Sequence, residues 1–122
     1  MRYEEPPLLG HDVAETALAA ALRGEGGEPD AGSVLVGLAM FDEDRAFVER
    51  WCVRIASEAP DRRLRGLAVL CIGTHLARRF GEVGGDAVAV VRELAADPEM
   101  RKADGRVSDA AEDLDRFLRR KA

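Results

Sequence analysis

The sequence predicts an all-α fold of about six helices stacked in three antiparallel pairs, and three observations carry that expectation. Nowhere do apolar and polar residues alternate for six positions, whereas apolar residues three and four apart recur throughout. Aspartates and prolines stand at regular intervals between these apolar stretches, where helix starts and stops belong. One stretch, Leu64 to Leu76, is apolar nearly all round and must be covered on several sides.

The elements follow in order. Asp12 is placed to cap a first helix through Val13, Leu18, Ala20 and Leu22, which Gly24, Gly26 and Gly27 stop. Residues 1–11 read as an irregular N-terminal segment of a domain spanning 1–122. Pro29 and Asp30 open a second helix through Val34, Leu35, Leu38 and Met40, ending near Phe41. Asp42, Glu43 and Asp44 supply a cap and first-turn negative charge for a third, in which Phe47, Val48, Trp51, Cys52 and Ile55 share a face. Pro60 stops it, and Asp61 caps a fourth helix reaching Phe80. Within this fourth helix Gly66, Gly73 and Ala77 form a strip of small residues, which predicts a neighbouring helix packed close against it. Asp86 is placed to cap a fifth helix through Val88, Val90, Val91 and Leu94, ended by Asp97 and Pro98. After a short polar stretch the sixth runs from about Asp104 through Val107, Ala111, Leu114 and Leu118.

A repeat lies in the even-numbered helices. Asp30, Asp61 and Asp104 are each followed at +7 by a small residue, Gly37, Ala68 and Ala111, and at +10 by Met40, Cys71 and Leu114. The intervals of 31 and 43 residues each accommodate one further helix, as a solenoid of helix pairs requires. The segment Asp61-Arg62-Arg63-Leu64-Arg65-Gly66-Leu67-Ala68-Val69-Leu70-Cys71-Ile72-Gly73 resembles the second helix of a HEAT repeat. That resemblance implies an α-α superhelix, with Asp61 and Arg65 in the positions that hold neighbouring repeats together. Ser108 replaces the Arg of the pattern in the last repeat. The stretch from Val34 to Leu118 also resembles small bacterial HEAT-like proteins, some of which are immunity proteins for secreted toxins.

Composition limits the functions open to the chain. Its 122 residues are 47% hydrophobic and 34% charged, with 23 acidic residues against 18 basic ones and a formal net charge of −5. A negative field disfavours nonspecific association with nucleic acid and favours a basic protein partner. The pairs Arg62-Arg63 and Arg78-Arg79 are too few and too far from aromatics for a nucleic-acid stripe. No secretory signal opens the sequence and no run is long enough to span a membrane, so a cytoplasmic protein is expected. Cys52 and Cys71 are expected as reduced core thiols, able to face each other across a helix pair.

Catalytic motifs are missing. The sequence holds no H-E-x-x-H, G-x-S-x-G or G-x-x-x-x-G-K-[ST], and Gly81-Glu82-Val83-Gly84-Gly85 has neither the preceding strand nor the lysine of a phosphate loop. No catalytic residue, metal ligand or cofactor is therefore assigned. His75 falls on the apolar side of the fourth helix and Trp51 within an apolar face, so both are read as structural, as are Asp61 and Arg65. The candidate partner-binding residues are two acidic groups: Asp42, Glu43 and Asp44 at a helix start, and Asp109, Glu112 and Asp113 on the last helix. Solvation competes with that reading, because Glu112 with Arg116 and Asp115 with Arg119 can pair along the helix. The function expected is a non-catalytic protein-binding module, of which an inhibitor of a basic toxin is the favoured form. A HEAT-like enzyme or enzyme subunit acting on nucleic acid or a chromophore is the alternative, and a homo-oligomeric scaffold or homodimer a third.

Overall fold

The computed structural model describes residues 8–119, the side chain of Arg119 excepted. These residues are helical with no strand among them: α1 (His11–Leu22), α2 (Ala31–Phe41), α3 (Arg45–Glu58), α4 (Arg62–Leu70), a π-helical segment (Cys71–Leu76), α5 (Ala77–Phe80), α6 (Gly85–Ala96), α7 (Pro98–Ala103) and α8 (Arg106–Arg119). The N-terminal segment predicted to be irregular lies mostly outside the described residues.

Local chemistry fixes most helix starts. Asp30 accepts a hydrogen bond from Ser33 N, Asp44 from Phe47 N and Asp61 from Arg63 N, each satisfying a backbone donor that the first turn leaves without a partner. Two predicted caps are displaced. The N-cap of α1 is Gly10 rather than Asp12, and that of α6 is Gly84 rather than Asp86, so both aspartates lie in the first turn. There they complement the helix dipole instead of capping. In α6 the missing cap comes from another helix: Glu49 of α3 accepts from Gly84 N at 2.7 Å. The short polar stretch after Pro98 is itself a helix, α7, started by Asp97 with Pro98 in its first turn.

The pairs stack in three layers. First helices run α1, α3, α6, each packed on the next, and second helices run α2, the α4-to-α5 rod and α8 in the same way. The rod occupies the middle layer, touching α2, α3, α6 and α8, and its Ala68, Val69, Cys71, Ile72 and Leu76 are inaccessible to solvent. Leu64, Leu67 and Leu70 remain half-buried, so the rod is less completely apolar-covered at its start than its composition suggests. One core cluster extends from Ala14 to Leu114.

The strip of small residues does what its spacing predicts. A Cβ on Gly73 would fall on the backbone carbonyl of Ala110 in α8, 2.8 Å from its carbon, and one on Gly66 would meet the Asp104 carboxylate. The close approach coincides with the π-helical segment, a change of pitch that the apolar pattern had not revealed. Asp104 also accepts from Arg106 N at 3.0 Å and pairs with the Arg106 guanidinium, which in turn donates to the Arg63 carbonyl. Hydrogen bonding from Arg106 holds the Asp104 carboxyl below the usual carboxylate range.

Asp61 and Arg65 are structural in a different sense from the one the repeat pattern implies. Asp61 caps its own helix, and Arg65 Nε donates to the Ala56 carbonyl at 2.7 Å, closing the end of α3 against α4 within one pair. Cys52 and Cys71 are free, buried and in thiol–thiol contact across that same pair. Hydrogen bonding to Cys71, then burial, pushes the Cys52 thiol well above its ordinary value.

Three outcomes are expected. Gly73→Val should lower unfolding free energy by about 2 kcal/mol or more, because the carbonyl it meets belongs to a packed backbone. Gly85→Ala, with open space around its Cβ, should be neutral or stabilising by up to about 1 kcal/mol in the same urea titration. The raised Cys52 value has a definite sign: the folded state keeps the proton that the unfolded thiol loses above about 9. Its contribution is complete below that pH and declines above it, so Cys52→Ala should flatten the loss of stability that urea titrations record on the alkaline side.

Candidate functional site

The sequence-predicted residues divide once placed. Asp42 is mostly buried: His11 Nε2 donates to its Oδ2 at 2.9 Å, and Asp44 N donates to its Oδ1 at 2.8 Å. The His11 ring lies flat on Phe47, centroids 3.6 Å apart. Asp42 therefore ties the start of α1 to the turn between α2 and α3, and Asp44 caps α3; only Glu43 of the three faces solvent without such a role. On α8, Asp113 accepts from Thr74 Oγ1 at 2.8 Å and pairs with Arg116. Asp115 pairs with Arg92 of α6 at 2.8 Å, and the side chain of Arg119, its expected partner, lies outside the described residues. Glu112 is exposed and Arg116 turns to Asp113 instead. Asp109 and Glu112 remain as free acidic groups on this face.

Trp51 is 5% exposed, donates Nε1 to Glu15 at 3.3 Å and carries Arg54 over its ring. That is a packing role with a satisfied polar end. His75 is half-buried, and burial, helped by Arg78 and Arg79, lowers its affinity for a proton. It has no hydrogen-bond partner among the described residues, and its ring is not enclosed in the core as the helical wheel suggested. Arg79 donates to the Ala39 carbonyl and stacks on Phe80, so it is committed to the fold. No cluster of three or more His, Cys, Asp or Glu able to hold a metal ion occurs among the described residues. Nor is any helix among them long and apolar enough to cross a membrane.

A concave site lies elsewhere, at the edge of the stack formed by α1, the glycine-rich loop before α2 and the turn between α3 and α4. It is a cleft of about 940 Å³. Among the described residues its lining carries Asp12, Glu25, Glu28, Asp30 and Asp61 and holds no Lys, Arg or His. Val13, Ala17, Ala20 and Leu64 make the walls apolar, with Val13 half-exposed at 50%. Gly24, at φ +76°, turns the chain away from α1 and leaves the loop side of the cleft bare of bulky side chains. Asp30 and Asp61 hold helix starts, and Glu25 bonds Arg23 on the open surface, which lowers its proton affinity. Asp12 and Glu28 have no ion pair among the described residues. Such a cleft suits a cationic group whose aliphatic stem rests on apolar wall.

No family model matches the chain, and neither does any curated protein. A solved structure does. The chain is similar to one chain of the CDI complex from Cupriavidus taiwanensis LMG 19424, at 28% identity and a TM-score of 0.72. The match covers 96% of this chain and 97% of that one. It therefore spans every layer of the stack, the acidic cleft included, rather than a shared helix pair.

The two parts of the Asp42–Asp44 group make opposite predictions. Asp42→Ala should cost about 1–2 kcal/mol in chemical denaturation, since it strands the Asp44 amide and the His11 imidazole. Glu43→Gln should stay within about 0.5 kcal/mol of the parent. Equal effects at the two positions would show that the turn does not anchor α1.

Proposed function

We propose that this chain is an immunity-type protein that neutralises a toxin by binding it. The observation that carries the reading is the end-to-end likeness to a chain of a CDI complex, read as the toxin–immunity assembly of contact-dependent inhibition. Coverage is nearly complete in both directions, so the likeness concerns the whole layered unit. Three features support it: a rigid helical stack, an acidic balance of −5 and a concave acidic edge without catalytic or metal-binding groups among the described residues.

In this reading the protein is not an enzyme. It occludes the surface through which a toxin reaches its target, and stable occlusion of that kind buries about 1,200–2,000 Å² in total. A toxin that acts on nucleic acid or another anion carries a positive surface. An acidic inhibitor then gains mainly in encounter rate, because complementary fields steer the two proteins together, and added salt weakens that gain.

Co-production with the product of an adjoining reading frame, taken as the candidate toxin domain, tests the proposal. Cells making the toxin alone should stop growing, and cells making both should grow. The purified proteins should form a one-to-one complex whose association slows as salt rises. A toxin that remains active, with no complex in a size-exclusion profile at stoichiometric excess of this chain, would contradict it.

A further inference from the structure

We infer that the cleft between α1, the loop of residues 23–30 and the turn at Pro60-Asp61 is the docking site for a lysine- or arginine-bearing segment of the partner protein. This rests on the immunity reading for the partner's identity, and on the cleft's own shape and charge for its chemistry.

The shape comes first. A volume of about 940 Å³ lies at the upper end of ordinary ligand pockets, room for a few side chains of a protein segment rather than one small ion. Its walls are built from two apolar surfaces that other helices cover only in part: the outer side of α1, at Val13, Ala17 and Ala20, and Leu64 at the start of α4. Partly exposed apolar wall of this kind suits a side chain with a long hydrocarbon stem.

Charge narrows the occupant. Among the described residues five carboxylates line the cleft and no basic residue does. Internal pairing removes little of that imbalance, since Arg23 offsets Glu25 alone, and Asp30 and Asp61 accept only from neutral groups. The other acidic surfaces differ on this point, either because pairing neutralises them or, at Glu43, Asp109 and Glu112, because they lie outside the cleft. Asp42 is bound by His11, Asp113 by Thr74 and Arg116, and Asp115 by Arg92. The cleft is thus where unsatisfied negative charge and concavity coincide, and low-dielectric walls strengthen the field within it. An acidic or purely apolar segment would leave these carboxylates desolvated without compensation.

The test uses two probes on the full chain. A synthetic pentapeptide of alternating arginine and lysine is titrated into ¹⁵N-labelled protein, with a glutamate–serine peptide of equal length as control. The basic peptide should shift the backbone amides of Thr16, Gly24, Gly26, Gly27 and Gly32 together, and the control should shift none. The triple variant Asp12→Asn, Glu25→Gln, Glu28→Gln spares the capping aspartates, and it should bind the basic peptide about tenfold more weakly. Asp109→Asn with Glu112→Gln on α8 should leave that affinity unchanged. In the second arm the triple variant should associate with the candidate toxin domain about tenfold more slowly. If the parent protein neutralises the toxin and the triple variant associates just as fast, the cleft assignment is overturned while the immunity reading stands. If the parent binds no toxin, that reading falls, and the peptide titration alone decides the chemistry of the cleft. Shifts centred on α8 would overturn the cleft assignment directly.

Discussion

The structure depends on how closely α8 lies against the central rod. Gly66 and Gly73 present bare backbone to the Asp104 carboxylate and the Ala110 carbonyl, so the third layer can settle where any larger residue would hold it away. That approach brings Asp104 and Arg106 over the start of α4 and Thr74 within reach of Asp113. It also leaves the rod from Ala68 to Leu76 largely dry, since α2 and α3 close its other sides. A dry, tightly filled rod is stiff, and the edges of the stack inherit that stiffness. The acidic cleft is such an edge: its walls are one side of α1 and the starts of α2 and α4, joined by the glycine-rich loop and the short turn at Pro60-Asp61.

Preorganisation links this packing to recognition. A partner meeting a surface already in its binding shape loses less conformational entropy on association than one that must order a loop. Charge on such a surface acts at a distance before contact is made, which favours rapid capture. The candidate site is then a division of labour, with carboxylates that double as helix caps setting a permanent acidic frame and Asp12, Glu25 and Glu28 supplying charge that the fold does not need.

Much of the fold was legible in the sequence because helix caps, periodicity and small-residue spacing are local signals. Asp30, Asp44 and Asp61 announced their helices, and Gly66, Gly73 and Ala77 announced a close neighbour. The displaced starts at Gly10 and Gly84 reflect two favourable places for an aspartate, cap and first turn, which sequence does not separate. Asp97 and Pro98 mark both the end of α6 and the beginning of α7, and only the first meaning was apparent. The π-helical segment answers to the meeting of Gly73 with Ala110, a contact 37 residues distant in sequence, and no local pattern encodes it. The cleft was hidden for the same reason: Asp12, Asp30 and Asp61 come together only through stacking. Its one local trace was the run from Gly24 to Asp30, which carries Glu25, Glu28 and Asp30 and no basic residue. Linear windows instead favoured Asp42–Asp44 and Asp109–Asp113, where part of the charge is spent on holding helices together.

Amide hydrogen exchange on the protein alone and in complex with the toxin domain tests the central claim, that a rigid stack presents its acidic edge to a basic protein. The slowest exchange in both states should lie in residues 68–77, and complex formation should add protection at residues 23–32 and 60–64. Rapid exchange in the central rod, or new protection confined to α8 and the turn at residues 42–44, would contradict the account.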